Sequence, residues 1–317
     1  MKKVLILDPV HPVLPESLAR NGYTCELRFQ ESRQELEKIC GGYFGLIVRS
    51  RLTLDREFLV KASGLRFIGR VGSGMENIDV EFALKRGIRC FNSPEGNRDS
   101  VGEHAVGMLL ALLNRLIKAD REVKNGRWDR EGNRGMELNG MTVGIIGYGN
   151  MGSAFAARLN GFGVRVISYD KYKQHYSDGN TEETTLPEIF RRSDVVSLHV
   201  PLTEETRYLA DERFFGKFEK NIWLLNTSRG PVVQTRDLVK ALQTGKVLGA
   251  ALDVLEYEDT SFESLSGSEP EELRFLKQAP NVILTPHIAG SSSESPFKMA
   301  TVLVKKILEA FPGTPVS

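Results

Sequence analysis

Cysteine is scarce in this chain: Cys25, Cys40 and Cys90 are the only three in 317 residues. They are odd in number, scattered, and form no CxxC pair. That predicts reduced thiols in a cytoplasmic protein, with no disulfide framework and no zinc site. An excess of one charge is missing too. Lys plus Arg total 42 and Asp plus Glu 41, a formal net charge of +1. A nucleic-acid-binding protein would show a basic excess or stripe, and an acidic disordered chain the reverse. Long apolar runs are also absent. The longest apolar-rich stretch, VGMLLALL at 106–113, falls well short of the ~18 residues of a membrane span. The opening MKKVLILDPVHP has no small-residue cleavage site and turns at Pro9 and Pro12, so it predicts a first strand and not a signal peptide. No nucleic-acid or membrane partner is expected, and no short-period repeat or low-complexity segment occurs.

What is present is ordinary globular sequence, 41% hydrophobic and 26% charged, long enough for about two domains at roughly 100–200 residues each. Short apolar strands (4–8, 23–29, 44–50, 65–71) alternate with helical segments (14–22, 32–40, 55–62, 81–86). Such alternation predicts a parallel sheet covered on both faces. Over 101–124 the apolar residues Val101, Ala105, Met108, Leu109, Leu112 and Leu116 fall at helical spacing, which predicts one long helix ended by Gly126. After a polar loop at 127–140, a second β-α series follows with strands at 142–147, 164–170, 194–200, 222–228, 247–254 and 281–286. A final helix over 294–311 could join either series, and periodicity alone leaves that open.

The second series opens with GYGNMG at 147–152, a G-x-G-x-x-G between strand and helix. Gly147 allows the tight turn, Gly149 a close approach of backbone to a pyrophosphate, and Gly152 close packing of helix on strand. The helix N-terminus, with Asn150 and Met151 in its first turn, offers N–H groups to phosphates. The next strand ends in Asp170, 18 residues after Gly152. A carboxylate there accepts both ribose hydroxyls and repels a 2′-phosphate, so NAD is the expected cofactor.

Three later strand ends carry reactive groups: Arg229 in NTSRGP; Asp253, Glu256, Glu258 and Asp259 in LDVLEYED; His287 in TPHIAGSS. Arginine grips a carboxylate with two parallel hydrogen bonds. Histidine takes or gives a hydroxyl proton during hydride transfer, and a carboxylate behind it fixes its orientation. In the first series Arg49, Ser50 and Arg51 lie just past a strand and make a plausible phosphate grip.

At these residues the chain resembles the D-isomer-specific 2-hydroxyacid dehydrogenases. GRVGSGMENID (69–79), NSPEGNRDSVGEHAVGMLLAL (92–112), GYGNMG, HVPLTEET (199–206), NTSRG, GAALDV (249–254) and TPHIAG occur in the right order. The resemblance implies an α/β fold of two doubly wound parallel-sheet domains. A Rossmann-type NAD-binding domain, 100–288, is inserted into a flavodoxin-like substrate domain, 1–99 plus 289–317. It implies a homodimer built largely on the long helix. By position it implies that Arg229 binds the substrate carboxylate and carbonyl, that His287 is the acid/base and that Glu258 is its partner. Most relatives have proline after that glutamate where Asp259 stands here, and Glu256 is a rival. Asp253 is implied near the nicotinamide amide. The backbone of Val71, Gly72, Ser73 and Gly74 would receive the substrate carboxylate, with Asn97, Ser100 and Val101 as site or cofactor neighbours. His199, Pro201, Thr206 and Thr227 would line the cofactor pocket. His104 reads as structural, and His11 and His175 as surface.

The segment VRSRLTLD (48–55) looks like that of the D-3-phosphoglycerate dehydrogenase branch, which makes 3-phosphoglycerate the favoured substrate and serine biosynthesis the expected setting. Glycerate/hydroxypyruvate, glyoxylate and erythronate 4-phosphate are alternatives, as is a non-catalytic NAD-binding sensor. The chain stops directly after the last helix, so inhibition by serine through a further regulatory domain is not expected.

Overall fold

Runs such as GLIV at 45–48 and VVSL at 195–198, with every residue buried, have no polar face to offer water. They must be covered on both sides, which in practice means parallel strands joined through helices. In the computed structural model, which describes residues 2–258 and 269–314, the chain divides into two units, Met1–Arg98 with Ser291–Ser317, and Asp99–Gly290.

The first unit has five strands: β1 (Lys2–Ile6), β2 (Tyr23–Leu27), β3 (Gly45–Val48), β4 (Phe67–Arg70) and β5 (Arg89–Phe91). All pair in parallel, in the order β2-β1-β3-β4-β5, which is the flavodoxin-like order. The final helix, Ser295–Ala310, buries Met299, Ala300, Leu303, Val304 and Ile307 in one cluster with Val4, Ile6, Leu14, Ile47 and Phe67. Each larger side chain among these contributes roughly 1.5–3 kcal/mol when fully buried, and that apolar stripe places the helix in this unit.

The second unit has seven strands: β6 (Thr142–Ile146), β7 (Arg165–Tyr169), β8 (Glu182–Glu183), β9 (Val195–Leu198), β10 (Ile222–Asn226), β11 (Val247–Leu252) and β12 (Val282–Leu284). Their order is β12-β11-β10-β9-β6-β7-β8, again parallel throughout. Numbered within the unit this is the Rossmann order with one strand added. In both sheets the direction of winding reverses beside the first strand. The reversal lies between β1 and β3 in the first unit and between β6 and β9 in the second. Such crevices at the carboxyl ends of strands are where open α/β sheets bind ligands.

The single helix expected over 101–124 is two, Arg98–Leu113 and Leu116–Lys124. Arg115 lies in the left-handed region, with φ of 54°. The polar loop causes the break. The amide of Met136 donates to the carbonyl of Leu113 at 3.1 Å, taking the acceptor a continuing helix would use. Asn114 turns its side-chain amide back to Leu110 O, the local competition that stops helices. β5 and β8 are only three and two residues long, too short for any alternation to mark them in the sequence. Among the described residues no helix is long and apolar enough to cross a membrane.

Candidate active site

The glycine turn after β6 matches the physical role of each glycine. Gly147 has φ of 94°, and a Cβ there would lie 2.5 Å from the carbonyl oxygen of His199. A Cβ on Gly152 would run into the carbonyl of Gly147, whereas beside Gly149 there is open space. The helix Asn150–Arg158 begins there, with Asn150 and Met151 in its first turn. Asp170 faces the turn: one oxygen accepts the amide of Tyr148 at 2.9 Å and the other that of Tyr172 at 3.0 Å. Each carboxylate oxygen retains a second lone pair for a hydroxyl. The hydroxyl of Thr227 is buried without a hydrogen-bond partner among the described residues, a polar atom awaiting a ligand. Open space at Gly149, the lone pairs of Asp170 and this hydroxyl all fit a dinucleotide.

His199 lies behind the turn instead of lining it. Its ring packs on Phe155 at 5.5 Å between centroids, with Nε2 2.8 Å from the Ser197 hydroxyl. Burial pushes its pKa down to about 4. The ring is therefore neutral and acts as packing under the cofactor loop. The Thr206 hydroxyl donates to Pro201 O at 2.6 Å, closing the loop after β9.

Arg229 follows β10. Asn226, fully buried, builds that turn: its amide donates to Arg229 O at 3.0 Å, and its carbonyl oxygen accepts the amide and hydroxyl of Ser228. Arg229 also donates to Ser228 O at 2.7 Å.

His287 has φ of 55°, a conformation that costs a non-glycine residue roughly 1–2 kcal/mol. Asp253, 1% exposed, holds it there. The Asp253 carbonyl accepts the His287 amide at 2.7 Å, and its two carboxylate oxygens accept the amides of Ile288 and Ala289 at 2.9 and 2.8 Å. Thr285 donates its hydroxyl to the same carboxylate at 2.6 Å, and His104 Nε2 lies 3.5 Å away. Burial alone would raise the Asp253 pKa. The hydrogen bonds from His104, Thr285, Ala289 and Ile288 outweigh it and hold the carboxyl below its ordinary value. Asp253 is thus a clamp for the histidine loop. His104 and Thr285, which the sequence pattern did not single out as site residues, belong to the same network. At the start of the helix Arg98–Leu113, Val101 is buried and Ser100 donates to Ala289 O at 2.6 Å, stitching that helix to the loop.

Glu258 Oε2 lies 2.7 Å from His287 Nδ1. Glu258 is itself held by the amide of Leu255. The rival Glu256 is spent elsewhere: it accepts the Tyr208 hydroxyl at 2.7 Å and the Thr235 amide at 2.9 Å, at the start of the helix Thr235–Gln243. A carboxylate accepts from Nδ1–H, so the proton-exchanging nitrogen of His287 is Nε2. Asp259 lies outside the described residues.

In the first unit two expectations need correction. Arg51 does not face a ligand: its three guanidinium nitrogens donate to the carbonyls of Leu7, Glu31 and Arg28 at 3.0, 2.9 and 3.2 Å. Three carbonyls converging on one side chain make it a tie for the loops around β1 and β2. Of the four backbone amides, Val71 donates to Val48 O at 2.9 Å and Gly72 to the Ser93 hydroxyl at 3.1 Å. Only those of Ser73 and Gly74 have no acceptor among the described residues. Asn97 supports them, accepting the Ser73 hydroxyl at 2.7 Å, and Asn92 donates to Ser73 O. Arg49 is exposed, and its amide donates to Asp8 at 2.6 Å while Asn77 holds its carbonyl. Ser50 follows it, half-buried.

A family model, "D-isomer specific 2-hydroxyacid dehydrogenase, NAD binding domain", matches residues 106–289. The chain is 34% identical over 316 residues to D-3-phosphoglycerate dehydrogenase of Archaeoglobus fulgidus, covering 99% of this chain and 58% of that relative. It therefore spans little more than half the length of that relative. It is 35% identical to hydroxypyruvate reductase of Thermotoga maritima, covering 87% of this chain and 88% of the relative. Identity to glyoxylate reductase of Thermofilum pendens is 37%, covering 89% and 82%. Among solved structures, D-lactate dehydrogenase of Aquifex aeolicus in complex with NAD and lactic acid superposes with a TM-score of 0.81 at 30% identity, over 98% of this chain and 95% of that one. The chain belongs to the D-isomer specific 2-hydroxyacid dehydrogenase family and carries that family's NAD-binding domain.

Proposed function

We propose that this protein is an NAD-dependent dehydrogenase of D-2-hydroxyacids, with 3-phosphoglycerate as the favoured substrate. The observation that carries the reading is His287 pinned by Asp253 and paired through Nδ1 with Glu258 at 2.7 Å. His287 Nε2 takes the proton of the C2 hydroxyl in oxidation and returns it in reduction. Glu258 keeps the imidazole in the right tautomer and stabilises the imidazolium. Arg229 pairs with the substrate carboxylate and polarises the C2 oxygen. The glycine turn, Asp170 and Thr227 hold NAD, whose nicotinamide accepts the hydrogen of C2 as hydride when bound. In the first unit, the amides of Ser73 and Gly74 suit a carboxylate, and Arg49 suits a phosphoryl group. Exposed Leu116, Ile117, Val123 and Trp128 on and after the second half of the broken helix support a homodimer.

The test is steady-state turnover with NAD and 3-phosphoglycerate, D-glycerate and D-lactate, and with NADH and the corresponding 2-ketoacids and glyoxylate. We expect the highest kcat/KM for 3-phosphoglycerate. His287→Ala should lose about 10²- to 10⁴-fold in kcat with NAD affinity unchanged. A folded, NAD-binding protein that turns over none of these acids is not a dehydrogenase of this class.

A further inference from the structure

The first unit contains a cavity of about 270 Å³ lined by Val71, Pro296, Met299, Arg49 and His11. It lies outside the carboxyl ends of β1, β3 and β4, where the winding of that sheet reverses. It is smaller than the roughly 300–1,000 Å³ of a complete ligand pocket, and suits one end of a small acid. Two of its groups are polar. Arg49 is a cation whose guanidinium makes no bond to another described residue. His11, which the sequence marks only as surface, is a built feature. Its Nδ1 accepts the amide of Val13 at 3.2 Å, and its ring meets Phe297 edge-on, 5.2 Å between centroids.

Those two contacts determine what His11 can do. With Nδ1 accepting from Val13, the ring hydrogen that can reach a ligand sits on Nε2. The ring then presents one oriented donor and no acceptor beside a guanidinium. The neighbouring carboxylate, Asp8, is buried. It is occupied by the Arg49 amide at 2.6 Å and lies 3.9 Å from the Arg51 guanidinium. The helix Ser295–Ala310 starts at the cavity with Pro296 in its first turn, adding the positive end of its dipole. Donor, cation and dipole favour a multiply charged oxyanion over a hydroxyl or methyl group.

We infer that this cavity receives the distal end of the substrate, and that His11 is a specificity-determining residue that donates from Nε2 to a phosphoryl oxygen beside Arg49. The inference rests on the phosphorylated-substrate reading above and adds the residue that discriminates. His11→Phe keeps a ring on Phe297 and removes the donor; His11→Gln restores an N–H near the position of Nε2. The experiment measures kcat/KM for 3-phosphoglycerate and for D-glycerate in the wild type and both variants, with the Kd of 3-phosphoglycerate by titration and Tm as a check on folding. A hydrogen bond to a charged group sets the scale. We expect His11→Phe to lose about 10- to 100-fold with 3-phosphoglycerate and less than ~3-fold with D-glycerate. His11→Gln should recover most of that loss. If the wild type does not favour the phosphorylated acid, the substrate reading falls and this inference with it. If the wild type is selective and folded His11→Phe keeps that selectivity, or both variants lose equally on both substrates, the inference alone is overturned.

Discussion

At the winding reversal of the second sheet, the loops after β6 and β9 meet as Gly147 against the carbonyl of His199. In the first sheet, the loops after β1 and β3 meet as Asp8 against the amide of Arg49. The topology is of one kind and the chemistry is opposite. Glycines in the second unit leave open space beside Gly149 and a helix N-terminus for a pyrophosphate. In the first unit a carboxylate of the chain itself takes an amide at the crossing point, and Arg51 ties the surrounding loops through three carbonyls. A ligand there meets side chains, not a bare backbone. Similar crevices therefore bind different things because of which groups the chain has already satisfied.

Exchanging glycines should sharpen the contrast most. Gly152→Ala drives a Cβ into the carbonyl of Gly147 and should cost about 3 kcal/mol or more, read as a fall in Tm. Gly149→Ala meets open space, so Tm should hold within about 2 °C, while NAD binding weakens about tenfold or more because the methyl group stands where the pyrophosphate approaches. An equal fall in Tm for both would mean that Gly149 is structural and the open crevice illusory.

His199 gives the next effect, through pH. Its folded pKa of about 4 lies below the ordinary 6.5. As pH falls, the unfolded chain takes the proton first, so stability declines from about pH 6.5 and levels off near pH 4. The 2.5-unit difference corresponds to roughly 3 kcal/mol. Urea unfolding midpoints at pH 7, 5.5 and 4.5 should show this decline, and His199→Gln, which keeps an N–H near Ser197, should flatten it. An unchanged slope would remove His199 from the support of the cofactor loop.

The smallest effect separates the two arginines of the first unit. Arg51→Ala should lower stability by about 1–2 kcal/mol by stranding the carbonyls of Leu7, Arg28 and Glu31. Arg49→Ala should lower it by less than about 0.5 kcal/mol, as an exposed substitution does. Denaturant midpoints decide. Equal losses would show that both arginines are structural and dissolve the difference between the crevices.

Much of this was legible in advance, for local reasons. Strands such as those at 195–198 and 222–226 announce burial on both faces by continuous apolar runs, and GYGNMG demands glycines at three spaced turns whatever surrounds it. Other features were not legible, since a partner distant in sequence decides them. The break at Arg115 depends on Met136 reaching Leu113. Arg49 and Arg51 look alike in a strand-end loop until three carbonyls converge on one of them. Glu256 and Glu258 are two residues apart, and only the place of Tyr208 and Thr235 takes one away from the histidine.

The sequence by itself determined the class of fold, the glycine turn, Asp170, and the residue types that bear the chemistry. These follow from periodicity and from steric limits that act within a few residues. Tertiary structure alone decided which donors and acceptors remain for a ligand: Ser73 and Gly74 but not Val71 and Gly72, Arg49 but not Arg51, Thr227 but not Thr206. It also turned His11 from a surface residue into an oriented donor. A buried polar group must be satisfied by something, and which neighbour satisfies it is a property of the fold.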